Sequence, residues 1–311
     1  MIRIAIICFL VSIVRSQDCV LNSDELNEVK QIFKDADKSM EEATKNQSAN
    51  AAIVIGTRRS GKSTLINYLM GNELTAFRRD KFEDITIRKT NENTTGPEIS
   101  TSVELGSKIP TKWSSRRPEL QNVDLWDTPS ILDSSDPVRE FSNALYLYHL
   151  IRRVESLKLI LDVNFNSIFS DDIYEIILLL NDLDQLFNGM FKDFFPSISL
   201  IISKAPYQHN EATVDHEYVS AKLNSILESN LVESQVLKDF IQHITDNKKS
   251  VGIFRLPKDI GNLAADIDDN IIPAINNAQG KDKASHQNMG ISITERYLPC
   301  LQHFNDLMHK E

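Results

Sequence analysis

Residues 51–71 read AAIVIGTRRSGKSTLINYLMG, and no other stretch restricts the fold of the chain as tightly. The apolar run AAIVI lacks the in-out alternation of a half-exposed strand, so it predicts a short strand buried on both faces. Gly56 ends it. From Gly56 to Ser63 every fixed position of G-x-x-x-x-G-K-S is filled, and residues 63–70 then read as a helix with Leu65, Ile66, Leu69 and Met70 facing inward. Strand, glycine loop and helix together give that spacing a physical use. Its glycines let the backbone N–H groups across Thr57, Arg58, Arg59 and Ser60 converge on an anion-sized hollow. The helix entered through Gly61, Lys62, Ser63 and Thr64 aims its positive end at the same place. In such a loop Lys62 reaches the outer phosphates of a nucleoside triphosphate and the Ser63 hydroxyl ligates Mg²⁺.

A second group for the metal is expected at the end of a neighbouring strand. NVDLWDTPS supplies Asp127, placed to hold Mg²⁺ through water. Capping of the next turn is its alternative role.

The rest of the chain alternates in kind. NSDELNEVKQIFKDADKSMEEATKN sets Leu26, Val29, Ile32, Phe33, Ala36 and Met40 on one helical face, with Ser23 as its N-cap. The polar stretch 78–100 has no period and reads as a mobile loop. STSVELGS, NVDLWD, LKLILDV, SISLIIS and VGIFRLP read as strands. Helices are expected over 140–154, after a cap at Ser170, and over 215–229. A closing helix is expected near the C-terminus, broken at Pro299. Apolar strands alternating with amphipathic helices predict an α/β fold: three layers, a mostly parallel sheet with helices on both faces, and flanking N- and C-terminal helices.

Charge narrows the partners. The net charge is −10, and loss of residues 1–16 would remove Arg3 and Arg15 and make it −12. So acidic a surface argues against nucleic acid and against docking on anionic membranes. MIRIAIICFLVSIVRSQDC has a basic start, an apolar run from Ile4 to Val14, and Ser16 and Gln17 after it. That is the order of a secretory signal cleaved near Ser16, with a secreted or lumenal product; a buried N-terminal element of a cytoplasmic chain is the alternative. The run is too short to span a bilayer, and no later segment reaches that length, so no transmembrane anchor is expected. Removal of the signal leaves Cys19 and Cys300, which form either a disulfide between the two ends or two free thiols. Asn46-Gln-Ser and Asn93-Thr-Thr are glycosylation sequons in polar, surface-like stretches. The seven histidines show no metal-ligand spacing.

Gly56–Ser63 followed by TLINYLMG, with WDTP at 126–129, resembles the GTPases of the translation-factor and dynamin–septin lineage. The resemblance runs over residues 50–259 and implies a P-loop NTPase G domain that uses Mg²⁺ and GTP (or ATP). With the segments read above, the expected division is a signal (1–16), an N-terminal helical segment (17–49), the GTPase-like domain (50–259) and a C-terminal helical extension (260–311). The resemblance makes 78–100 the first switch and Thr101 its Mg²⁺-binding threonine, with Thr95 or a plain surface hydroxyl as alternatives. GTPase relatives often dimerise across the nucleotide, so a homodimer is a further expectation. Arg59, the fourth residue of the loop, resembles the built-in arginine finger of the guanylate-binding and atlastin group. The alternative is a solvated Arg58–Arg59 pair that attracts anions.

Three positions depart from that pattern. Ser130 stands at the glycine of D-x-x-G, so its N–H meets a γ-phosphate with less backbone freedom. Ile131 follows where many relatives carry a water-orienting glutamine, which predicts slow hydrolysis. Ser203-Lys204-Ala205-Pro206 replaces N/T-K-x-D: Lys204 retains a stem to pack over the base, or is a plain exposed loop lysine, and proline removes the acceptor that discriminates guanine from adenine. Two functions follow. One is a slow Mg²⁺-dependent nucleoside triphosphatase, GTP ahead of ATP, with Lys62 and Arg59 as catalytic residues. The other is a secreted pseudo-GTPase that serves as a binding module without turnover.

Overall fold

The uninterrupted apolar runs become the middle of one sheet, because a strand flanked by helices on both faces has no wet side to mark. The computed structural model describes residues 19–99, 109–131, 136–170, 173–229, 231–294 and 297–308. Its strands are β1 (Asn50–Ile55), β2 (Leu74–Phe77), β3 (Thr86–Lys89), β4 (Thr111–Ser114), β5 (Val123–Asp127), β6 (Ser156–Asn164) and β7 (Ile198–Ala205). After these come β8 (Gln208–His209), β9 (Ala212–Thr213), β10 (Val251–Arg255), β11 (Gly261–Asn262), β12 (Asp268–Asp269) and β13 (Lys281–Asp282). The helices are α1 (Ser23–Thr44), α2 (Lys62–Leu69), α3 (Pro137–Arg153), α4 (Phe165–Phe169) and α5 (Tyr174–Leu186). They continue with α6 (Phe191–Phe194), α7 (His216–Glu228), α8 (Gln235–Asp246), α9 (Ile271–Asn277) and α10 (Leu298–Met308).

The main sheet runs β12-β10-β7-β6-β1-β5-β4, with β13 on the start of β6. β5, β1, β6, β7 and β10 are mutually parallel, while β4 and β12 are antiparallel edges. The chain leaves β1 for β5 on one side and then crosses to β6 on the other. That reversal opens a crevice at the carboxyl end of β1, where ligands bind in open α/β sheets. Alternate residues of β1 serve opposite layers: Ala51, Ile53 and Ile55 pack toward α3 and α5, and Ala52 and Val54 toward α2 and α9. The fold is the expected three-layer α/β arrangement.

Several local expectations change. Asn22, not Ser23, caps α1: its side chain accepts from the Asp24 and Glu25 amides while the Glu25 carboxylate accepts from the Asn22 amide. Residues 78–100 are not one loop, since β3 within them pairs with β2 as a hairpin that β11 extends. Ser170 closes α4 instead of opening the next helix. Helices α8 and α9 were not expected; α8 buries Leu237, Phe240, Ile241 and Ile244. Pro299 lies in the first turn of α10 and does not break it, because a first-turn residue has no intrahelical N–H bond to lose. STSVELGS and the expected signal both lie outside the described residues.

The first and last described segments close on the body of the chain. Helix α1 packs along α3, and Cys19 is joined to Cys300 by a disulfide. Around that bond Leu21, Val29, Phe141, Ala144, Ile293 and Tyr297 form a separate apolar cluster. No described helix is long and apolar enough to cross a membrane.

Candidate phosphate-binding site

The loop Gly56–Ser63 lies on the carboxyl ends of β6 and β7, and its two glycines are what let it sit there. A Cβ on Gly56 would overlap the Asp162 carbonyl oxygen. Gly61 holds φ at +136° against Ser203 and the Asp162 carboxylate, a conformation that L side chains rarely adopt. Beneath the loop Asp162 is wholly buried on β6. Ser60 Oγ donates to one of its oxygens at 2.7 Å and Ser203 Oγ donates to the other. Burial pushes the Asp162 carboxyl above its usual range, while those two hydrogen bonds and the charges of Lys62 and Lys204 oppose the shift.

Lys62 opens α2, with its ammonium turned back over the loop. Its Nζ donates to Gly56 O at 3.0 Å, Thr57 O at 2.8 Å and Ser130 Oγ at 3.0 Å. The segment after β5 is drawn to the same point. Asp127, buried, closes β5 in register with Val54, and Thr128 Oγ1 donates to Val54 O at 2.6 Å. The Ile131 amide donates to Gly56 O at 3.4 Å, and Ser130 O accepts from Asn143 Nδ2 at 2.9 Å. Ser130 therefore offers the lysine a hydroxyl that the expected glycine would lack.

The residues anticipated around the loop come together here: Thr57 and Ser60 buried, Arg58, Ser63 and Thr64 half-buried, Arg59 exposed. Arg59 takes the left-handed conformation, φ 61°, and its carbonyl oxygen accepts from Lys204 Nζ at 2.6 Å. Lys204 reaches it through a bulge. Phe254 pairs with Ser203 and Arg255 with Ala205, so Lys204, at φ 59°, is left outside the ladder. A bulged residue is re-aimed in this way at many sheet ends. Thr101 lies outside the described residues, but the approach to it is held. Asn72 Nδ2 donates to Thr95 O at 2.9 Å, and Asn67 Nδ2 donates to Pro97 O at 2.8 Å.

The donor set fits a Mg²⁺–triphosphate. It has a loop a side chain would fill, a lysine over it, the Ser63 hydroxyl in the first turn of α2, and Asp127 at the adjacent strand end. Mg²⁺ is held by one or two such groups plus phosphate oxygens, not by a full protein cage. Guanine selection fits less well, since Pro206 leaves no carboxylate at the end of β7. Asp162, Asn67, Asn72 and Asn143 were missed in the sequence. Only Asp162 left a mark there, as the lone carboxylate inside the apolar run LKLILDV.

No protein-family model matches the chain, and no curated protein matches it. Among solved structures it is similar to the signal recognition particle receptor SRb-GTP/SRX complex of Chaetomium thermophilum, with 16% identity over 58% of this chain and 80% of that one, TM-score 0.32. It is similar to an S. thermophilus NFeoB mutant bound to GDP, with 12% identity over 65% of this chain and 90% of that one, TM-score 0.25. A nucleotide-free NFeoB mutant gives 13% identity over 84% and 92%, TM-score 0.27. At these values none of the likenesses bears on what the chain binds or does.

Proposed function

We propose that the chain binds a Mg²⁺–nucleoside triphosphate in the manner of a GTPase and hydrolyses it slowly. Lys62 carries the proposal: a buried ammonium placed by a complete glycine loop at the switch point of the sheet, where a purely structural turn has no use for a lysine. The loop amides and Lys62 would hold the phosphates. Ser63 and Asp127 would hold Mg²⁺, with Thr101 as a third ligand, and the ion when bound neutralises phosphate charge. Arg59 is the proposed transition-state arginine. GTP stands ahead of ATP on the resemblance alone.

Titration of residues 17–311 with fluorescent GTP and ATP, with and without Mg²⁺, tests this. Mg²⁺-dependent binding of either, abolished in Lys62→Ala, is expected. Absence of binding at millimolar nucleotide would sink the reading.

A second reading, binding without turnover, is favoured by Ile131, an apolar residue where water would have to be oriented. Single-turnover phosphate release separates the two. Export is part of either proposal. It is supported by the Cys19–Cys300 bond and by the exposure of Asn46 and Asn93 in their sequons. Intact mass of protein from a eukaryotic host reads cleavage, glycans and disulfide together; a mass starting at Met1 with free thiols would refute export.

A further inference from the structure

Ser130 and Ile131 also line a cavity of about 20 Å³ against α3, α5 and the strand-free segment before α10, room for one water-sized occupant. Its polar wall is made almost wholly of acceptors. Glu140 is 6% exposed and Asn143 5%, and each has one end already committed. Glu140 Oε1 accepts from the Thr294 amide at 2.7 Å, and Asn143 Nδ2 donates to Ser130 O at 2.9 Å. Their other ends, Glu140 Oε2 and Asn143 Oδ1, are buried with no hydrogen-bond partner among the described residues. Asp182 faces them from α5. Burial pushes its carboxyl up to about 7, the Glu140 charge adds to the rise, and a hydrogen bond from the Ser292 hydroxyl opposes it. Among the described residues, no lysine, arginine or histidine lines the cavity.

We propose that Glu140, Asn143, Asp182 and Ser292 form a binding site for a hard divalent cation of the Ca²⁺ class, separate from the nucleotide site. These four oxygen-bearing side chains line one small cavity, and Ser292 supplies a single hydroxyl hydrogen among them. One shared proton satisfies one more acceptor, and one water satisfies two. A cation satisfies all of them at once. The set contains only carboxylate, amide and hydroxyl oxygen, which selects hard ions over zinc or copper. It is drawn from three separate segments, and Ca²⁺ tolerates irregular coordination where Mg²⁺ demands a near-ideal octahedron. An ion there clasps the C-terminal segment to α3 and α5. It also fixes Asn143, which holds the Ser130 carbonyl.

The test is calcium uptake by nucleotide-free residues 17–311 at pH 7.5, measured by equilibrium dialysis and by the shift in melting temperature. One Ca²⁺ per chain and a higher melting temperature are expected. Glu140→Gln and Asp182→Asn should each weaken uptake at least tenfold, and Asp193→Asn, on the exposed side of α6, should leave it unchanged. Should the first two fail to fold, Ser292→Ala weakens uptake and Ser292→Asp strengthens it. Absence of uptake at millimolar Ca²⁺, or uptake indifferent to the Glu140, Asp182 and Ser292 changes, overturns the proposal. A melting temperature that ignores Ca²⁺ but rises on acidification overturns it in favour of a shared proton.

Discussion

Ser60 donates its hydroxyl hydrogen to the Asp162 carboxylate at 2.7 Å, tying the middle of the phosphate loop to β6. Ser203 donates to the same carboxylate from β7, so one buried acid fixes three elements beneath the site. Asp162→Ala leaves two buried hydroxyls without an acceptor, at about 1–3 kcal/mol each. The expected result is a lower urea midpoint at unchanged slope, together with weakened triphosphate binding. Asp162→Asn keeps one acceptor and should lose less. Equal midpoints for wild type and Asp162→Ala would show that the carboxylate's burial costs as much as its two bonds return.

If the chain binds a triphosphate as proposed, Ser130 competes with phosphate for Lys62. Its hydroxyl is one of the oxygens around Nζ, and a bound triphosphate would have to draw the ammonium away from it. Ser130→Gly removes that competitor and frees the peptide. One such bond is worth about 1 kcal/mol net, or about fivefold in Kd. Fluorescent-nucleotide titration should therefore show tighter binding in Ser130→Gly. Weaker binding would mean that the hydroxyl positions the lysine for the phosphates.

What could be read in advance follows from how local each cause is. The strand, loop and helix over 51–71 were legible because the glycine spacing is a demand of the backbone itself. The α1 cap was misread among adjacent capping residues, although Glu25, three residues after Asn22, marks the capping box. The β2–β3 hairpin was not legible, since its four-residue strands are partly exposed and owe their existence to each other and to β11. In the sequence Lys204 reads as a residue that packs over a base. Its turn toward Arg59 depends on a bulge opposite β10, far away in the chain. Asn67, Asn72 and Asn143 act through side-chain bonds to distant backbone, which have no period for a sequence to display.

His286 gives the chain an acid-sensitive side. Its ring is fully buried, with Nε2 meeting Val154 O at 3.0 Å and Nδ1 without a partner. Burial holds its pKa below the ordinary 6.5, against the Val154 bond and the charges of Asp282 and Glu155, with Lys283 adding to the depression. The folded state thus releases a proton that the unfolded chain keeps. Stability from this group is whole above pH 6.5 and is lost as pH falls through the depressed folded value. Melting temperatures should drop between pH 7.5 and pH 5, and less steeply in His286→Gln. Parallel curves for the two proteins would exclude His286 as a source of the slope.

The disulfide should contribute more than any single side chain considered above. Cys19 and Cys300 lie 281 residues apart in sequence, and closing so long a loop restrains the unfolded chain by about 5 kcal/mol in the entropic account. The folded state is prepared for it, since Cys300 is fully buried in the cluster with Phe141 and Tyr297. At about 2–4 °C per kcal/mol for a domain of this order, reduction should lower the melting temperature by roughly 10–20 °C. Cys300→Ser should fall by a similar amount and respond no further to reductant. Because Thr294 and Glu140 share a hydrogen bond in the same region, amide exchange in the reduced protein should rise first around residues 291–300 and the start of α3. Unchanged melting on reduction, with both thiols shown to be free afterwards, would mean that packing of α1 and α10 holds the ends without the bond.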